Sequence, residues 1–419
     1  MQVVFNNLKE ERKMSENEKV SASPNRYIVL IAGVIIQFCA GILYMWSVFK
    51  QPVVDHLSWD PNASALTASV MLVAFVGGIL IGGRILDKIG PKITCLAGSI
   101  MLSIGILASS FVTPSAPYML YLTYGIIGGF GVGTVYTCTV SPIQKWFFDR
   151  KGFATGLMVG AFGFSLVLFA PLADYLIDTF GISSTFQIFG LAFLVICVPA
   201  SLLITNPNAE YLSRLKGPSS LSTQKQYTTK EMLRTKSFYL IMVSLFLVLP
   251  AFFILNPIAK TFGAEHTDGL ETLAVMIIGV CSASGRLFIT WVSDRIGRMN
   301  SLFFIAITPI IGALAITFAY DYAFLACVAL IAFAFGGAAG IYAIVTSDHF
   351  GVQNMGSNYG FVMLGFGASA LIFPFISTQL SSDGDYTISF VIAAIACAAS
   401  MVCILMLNAL KKKNPDSVA

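Results

Sequence analysis

Gly83-Arg84-Ile85-Leu86-Asp87-Lys88-Ile89-Gly90-Pro91-Lys92 closes a long apolar run, and its centre returns much later in the chain. Asp87-Lys88-Ile89-Gly90 recurs as Asp294-Arg295-Ile296-Gly297, 207 residues on. A second set of positions recurs at nearly the same interval. Gly152, Gly156, Phe162, Gly163 and Ser165 return as Gly356, Gly360, Phe366, Gly367 and Ser369, each 204 residues on. Lys50 and Lys260 also correspond, at the ends of two further apolar runs. Both copies run in the same direction, so one half of the 419-residue chain repeats the other. Such a repeat in apolar segments predicts two helical bundles related by an axis along a membrane normal. A cavity lies between bundles of this kind, and rocking about it opens either face.

Working outward, composition names the solvent. The chain is 56% hydrophobic and 11% charged, whereas a soluble protein carries about 25% charged residues. So few charges cannot cover a surface in water, and most of this surface must face lipid. Apolar segments fall at 26–49, 63–84, 92–112, 117–141, 153–176, 184–205, 237–262, 270–293, 300–320, 322–347, 355–381 and 386–410. Each approaches the ~20 residues that cross ~30 Å of hydrocarbon as a helix. Their many glycines suit close helix contact in lipid, and runs of this length are not the short alternating strands of a membrane barrel. The expectation is an all-α membrane protein of twelve transmembrane helices in two pseudo-symmetric six-helix bundles.

The longest polar stretch, 206–236, separates segments six and seven and holds Arg214, Lys216, Lys225, Lys230, Arg234 and Lys236. The expected organisation is a tail at 1–25, a bundle at 26–205, a central loop at 206–236, a bundle at 237–410 and a tail at 411–419. The first 25 residues are polar and lack the apolar stretch of a signal peptide. Basic residues in the loops orient the molecule. Twenty-two lie on the side of the termini and central loop, and only Lys50 and Lys260 on the other. Both termini are therefore expected in the cytoplasm.

One basic residue fits neither side. Arg286 lies deep in the eighth segment, and no acidic residue occurs from Leu273 to Ser293. A cation at that depth costs from ~3 kcal/mol on insertion scales to ~10 or more in simulations. It either pairs with a carboxylate on another helix or awaits an anionic ligand. Arg286 precedes Asp294 by eight residues, about 12 Å along a helix. Tyr136 precedes Lys145 by nine and Tyr342 precedes Phe350 by eight, which puts both phenols at a similar depth. Guanidinium and phenols together would cradle a carboxylate, Arg with a planar fork of donors and Tyr with an adjustable one. Tyr44 sits nearer the outer end of the first segment, at an expected entrance. Helix packing is the alternative for each tyrosine.

The 83–92 stretch resembles the loop motif of the major facilitator superfamily, Gly-x-x-x-Asp-Arg/Lys-x-Gly-Arg/Lys, although the second copy carries Thr290 in place of the glycine. The resemblance implies a latch that stabilises one access state, formed by Gly83, Asp87, Lys88, Gly90, Asp294 and Arg295. A finer resemblance is to the oxalate/formate antiporter family, which includes bacterial lactate and pyruvate carriers. It rests on Tyr44-Met45-Trp46-Ser47, Lys145-Trp146-Phe147 with Arg150-Lys151-Gly152, Gly285-Arg286-Leu287, Trp291-Val292-Ser293-Asp294-Arg295-Ile296-Gly297-Arg298 and Asn358-Tyr359-Gly360. The resemblance implies that Arg286 binds a substrate carboxylate and that the chain resides in a bacterial inner membrane. Oxalate exchangers of the family add a lysine in the eleventh helix, where this chain has Phe366 as a wall of the pocket. One buried cation matches one carboxylate and would leave the second charge of a dianion unpaired.

Other patterns carry less. Gly129-Phe130-Gly131-Val132-Gly133 lies inside an apolar helix rather than after a strand, so it reads as helix packing and not as a dinucleotide loop. Asn256-Pro257 interrupts the seventh segment, as a gate or as a plain kink. The eight cysteines lie within apolar segments and read as small hydrophobes. His56, His266 and His349 are scattered and form no expected metal site. No cofactor, nucleic-acid partner or catalytic constellation is expected, and a monomer suffices. Asp174, Asp178 and Asp348 lie near segment ends, so no central carboxylate is placed to couple protons. The expected function is secondary transport of a small monocarboxylate (lactate, pyruvate or formate) by alternating access. Oxalate/formate exchange and a non-translocating carboxylate sensor are the alternatives.

Overall fold

Lipid offers the backbone no hydrogen bonds, so a long apolar run satisfies itself as a helix, and twelve such helices occur among the described residues. The structure is a computed structural model and describes residues 25–208, 211, 225–381 and 385–413. The tail at 1–24, most of the central loop with Arg214 and Lys216, and residues 414–419 lie outside the described residues. Helix α1 comprises Arg26–Ala40, a 3-10 turn Gly41–Tyr44 and Trp46–Leu57. Then come α2 (Pro61–Ile89), α3 (Pro91–Ser109) and α4, which is π-helical over Tyr121–Gly128 and α-helical over Gly129–Trp146. The continuous stretch Lys151–Ser201 breaks at Gly181, with φ 78° and ψ 167°, into α5 (151–180) and α6 (182–201). The second half holds α7 (Lys236–Val248 and Pro250–His266), α8 (Glu271–Ile296), α9 (Arg298–Ile316), α10 (Asp321–Phe350), α11 (Met355–Leu380) and α12 (Thr387–Lys413).

These helices follow the predicted segments to within a few residues, except that α1 runs on for eight residues beyond 49. One local reading changes. The break in α7 falls at Pro250, not at Asn256-Pro257, because Leu249 leaves the helix and Pro250 opens the next piece at its first position. Proline is favoured there because its missing N–H would have no partner anyway. Pro257 stays inside helix.

The internal repeat survives as geometry. Gly90 and Gly297 adopt φ 90° and 87° and reverse the chain between α2 and α3 and between α8 and α9. A side chain is strained at such angles and glycine is not. Gly129, Gly131 and Gly133 lie inside α4. A Cβ there would strike Met71 and Phe75 carbonyl oxygens of α2 or the Leu102 amide of α3, so these glycines serve helix packing.

The two bundles meet through α2, α4 and α5 on one side and α8, α10 and α11 on the other. At the end that carries the basic loops the contact is backbone on backbone. A Cβ on Gly83 would run into the Gly356 carbonyl oxygen, and one on Gly152 into that of Thr290. Toward the opposite end only side chains approach: Val76 stands 3.0 Å from a Cβ built on Gly367, and Leu166 stands 3.8 Å from one on Gly279. The interface is tight at the basic end and slackens away from it. Before α7, a one-turn helix Thr229–Met232 starts with a capping box of Thr228 and Glu231. Hydrogen bonds from Thr228 to the Glu231 carboxylate hold that group below the usual carboxylate range. Asn354 and Asn358 donate to the Tyr227 carbonyl, which pins this end of the linker to α11.

Candidate functional site

Arg286 is among the largest fully buried side chains, with 1% of its surface exposed. Among the described residues no carboxylate comes within ion-pair distance of it. Its Nη2 donates to the Tyr44 hydroxyl at 2.9 Å, while Nε and Nη1 have no hydrogen-bond partner. Three aromatic rings surround the guanidinium carbon: Tyr44 at 5.3 Å, Phe162 at 5.7 Å and Phe335 at 5.8 Å. Phe335 is held in place by stacking on Phe252, with centroids 3.5 Å apart. Cation–π contacts contribute about 0.5–2 kcal/mol each, and a hydrogen bond to a charged group about 1.5–3 kcal/mol. They offset part of the burial cost and leave two nitrogens of the fork unmatched.

The guanidinium faces a nearly closed cavity of ≈ 10 Å³ between the bundles, about the room of one water molecule. Tyr44, Phe75, Tyr136, Val159 and Phe162 line it from the first half, and Arg286, Ala339, Met363 and Phe366 from the second. Local structure explains the polar members. The 3-10 turn at Gly41–Tyr44 tightens α1, and Gly41 packs so closely on Ser165 and the Phe162 carbonyl of α5 that no side chain fits. That turn swings Tyr44 inward, so it touches Arg286 directly rather than waiting at an entrance. Gly163 removes the Cβ that would stand 2.5 Å from Nη1 and so lets the guanidinium lie against α5. Tyr136 donates across the bundle interface to the Ala339 carbonyl at 3.4 Å. Phe366 is a wall of the cavity, edge-on to Phe75 and Phe253.

Tyr342 does not join them, and this corrects the depth argument. Its hydroxyl donates to Ser244 Oγ of α7 at 3.0 Å, inside the second bundle. Equal depth says nothing about which way a helical side chain points, and three residues along α10 it is Ala339 that reaches the cavity. The sequence reading missed Phe75, Val159, Ala339 and Met363, which are ordinary apolar residues with no signal of their own. Phe162 carried a signal, since it is the repeat partner of Phe366 and both line the cavity.

The expected latch residues divide. The Asp87 carboxylate of α2 accepts from the Gly356 and Ser357 amides at 3.3 and 2.7 Å, which open α11. The Asp294 carboxylate of α8 accepts from the Gly152 and Phe153 amides, each at 3.1 Å, which open α5. Each carboxylate thus caps a helix of the other bundle, where free amides and the positive end of the helix dipole favour an anion. Gly83 permits the α2–α11 approach. Gly90 makes the turn described above and Lys88 is exposed, so neither bridges the bundles. Arg295 is corrected as a latch partner. It lies over the Trp291 ring at 4.4 Å, and Arg298 takes the ion pair with Asp294 at 2.7 Å. Arg298 also reaches Asp348 at 3.1 Å, and Lys151 of the first bundle reaches Asp348 at 2.8 Å. No spacing in the sequence announces that cluster.

Two six-helix halves lock at one end, with an arginine buried between them that has no carboxylate partner among the described residues. Residues 29–364 match the Major Facilitator Superfamily, and the chain belongs to that superfamily of transporters. It is 29% identical over 354 residues to the uncharacterized MFS-type transporter YhjX of Escherichia coli, covering 83% of this chain and 86% of that one. It is 27% identical over 382 residues to the oxalate:formate antiporter of Oxalobacter formigenes, covering 88% of each. The fold is similar to that of FucP, a superfamily transporter crystallised in the outward conformation, with TM-score 0.66 at 16% identity over 91% of this chain and 99% of the other.

Proposed function

We propose that this protein carries a small monocarboxylate such as lactate, pyruvate or formate by alternating access, with Arg286 as the carboxylate anchor. The observation that carries the reading is the Arg286 fork. It is buried in a cavity between the bundles, with two nitrogens unpartnered and no carboxylate beside it among the described residues. A visiting carboxylate supplies the missing charge and accepts from the free nitrogens. The other lining groups are phenols and apolar side chains, so a second anionic group finds no partner there and carries its full desolvation cost. In this reading the chain resides in a bacterial inner membrane with its basic loops in the cytoplasm, and the cytoplasmic end is the one held shut.

Exchange of oxalate for formate is the second reading, favoured by the Oxalobacter relative. Phe366 argues against it, because it stands in the cavity wall where the resemblance leads one to expect a second cation. Counterflow of labelled lactate or pyruvate into proteoliposomes tests the function, and competition by unlabelled mono- and dicarboxylates separates the readings. Arg286→Gln is expected to abolish counterflow while the purified yield from membranes stays normal. Transport by the variant at ordinary affinity overturns the assignment.

A further inference from the structure

At the basic end, α7 and α12 part around a groove of ≈ 590 Å³ that holds no residue of the first bundle. Lys236, Tyr239 and Val243 of α7 line one side, and Cys403, Met406 and Ala409 of α12 the other. Nearer mid-length the two helices are tied. Ser400 donates to the Ser244 carbonyl at 2.9 Å, and Cys397 to the Val248 carbonyl at 3.7 Å. Beyond Ser400, α12 turns the short side chains of Cys403 and Ala409 toward the groove, and these leave the room. Tyr239 and Met406 are half exposed, so the groove opens sideways, where a membrane-spanning surface meets lipid. Its volume falls within the about 300–1,000 Å³ of small-ligand sites.

Charge marks one end of this apolar groove. Lys236 is the first residue of α7 and is exposed, and among the described residues no carboxylate pairs with it. Its counterpart in the first half differs. Arg26 opens α1 and precedes Lys236 by 210 residues, the interval that also separates Lys50 from Lys260. Arg26 pairs with Asp149 at 3.3 Å and lies over the Phe147 ring at 4.8 Å. The first-half cation is thus neutralised within the protein, and the second-half cation is not. More positive charge gathers beside it. Arg234 is exposed two residues before Lys236, and Lys411-Lys412-Lys413 follows the lining residue Leu410. The acidic residue of this stretch, Glu231, is engaged by Thr228.

We infer that the groove between α7 and α12 is a binding site for an anionic phospholipid of the leaflet at the basic end. The headgroup phosphate lies beside Lys236, and an acyl chain runs along Val243 and Cys403. A basic cluster where a spanning helix leaves the membrane attracts anionic headgroups, and the positive end of the α7 dipole acts in the same sense. The apolar walls below it suit a hydrocarbon chain and no second charge. The inference needs the membrane location alone, so it stands whichever carboxylate is carried.

Fluorescence quenching in reconstituted vesicles tests it. Tyr239→Trp puts a reporter in the groove while keeping an aromatic ring, and the signal of the parent chain with its four tryptophans is subtracted. Phosphatidylcholine vesicles receive the same minor fraction of either phosphatidylglycerol or phosphatidylcholine, each brominated near the carbonyl end of its acyl chains. Quenching by the brominated phosphatidylglycerol is expected to be several-fold the stronger. Adding Lys236→Gln should lower that preference at least twofold, and Lys236→Arg should retain it. Equal quenching by the two lipids means that ordinary bilayer lipid fills the groove, and overturns the inference. A preference undiminished by Lys236→Gln overturns the place given to Lys236. Quenching by neither lipid, with Ala409→Cys cross-linking between copies, makes the groove a contact between two copies of the chain and overturns the site as well. None of these outcomes depends on Arg286→Gln, so the lipid site and the transport reading fall separately.

Discussion

At the scale of the residue, the decisive quantity is how far Arg286 is satisfied without a ligand. Rings and one phenol offset part of its burial, and the rest is available to an anion. Among the described residues the Tyr44 hydroxyl is the hydrogen-bond acceptor the fork has found, and it can turn to donate to a bound carboxylate. Tyr44→Phe keeps the ring contact and removes the hydroxyl. With a charge-assisted bond worth about 1.5–3 kcal/mol, half-saturation for the carboxylate should rise roughly tenfold or more, measured as the concentration dependence of counterflow. An unchanged value would mean that the phenol serves only to pack α1. Among the described residues no aspartate, glutamate, histidine or lysine lines the cavity. Carboxylate exchange with equal pH on both sides should therefore change by less than about twofold between pH 6 and 8, the range in which histidine titrates. A steep profile in that range would call for a titrating group that the lining does not contain.

At the scale of the element, the two caps do the same work in the two halves. Each places a carboxylate of α2 or α8 on the first amides of α11 or α5 in the opposite bundle. Asn retains the shape and loses the charge. An anion at a helix N-terminus contributes about 0.3–1 kcal/mol, and up to about 2 when partly buried. Asp87→Asn and Asp294→Asn should each shift the balance between the two access states about two- to fivefold toward opening at the basic end. The double variant should approach the product of the two shifts, because separate helix pairs are loosened. Distances between spin labels placed on the two bundles report the populations. A shift from only one of the two variants would mean that the halves are not equivalent latches. Arg298, bonded to both Asp294 and Asp348, ties the second cap to the Lys151–Asp348 pair.

At the scale of the whole molecule, the proposed cycle uses the interface between the bundles as a hinge around its cavity. Glycines let backbones touch at the basic end and side chains keep them apart toward the other. Parting the basic end would break two helix caps and the Lys151–Asp348 pair together, so in the proposed cycle the two access states are discrete rather than continuously graded. Arg286 stays on α8 throughout, and access to it alternates.

Periodicity, charge scarcity and a repeat some 204–207 residues apart determine the apolar helices, the two halves and the one basic residue set deep in an apolar segment, because lipid leaves an apolar chain few alternatives. The same strings could not say which way a side chain faces. Tyr136 and Tyr342 read alike in sequence, yet one reaches across to Ala339 and the other back to Ser244. The rotation of α10 against its neighbours makes that difference, and rotation is set by packing. Arg298 supplanted Arg295 for a similar reason: the turn at Gly297 carries it back toward Asp294 and Asp348. Tertiary structure alone decided the apolar walls of the cavity, the caps that cross between the bundles and the end at which they close, because each depends on residues hundreds of positions apart meeting at one surface.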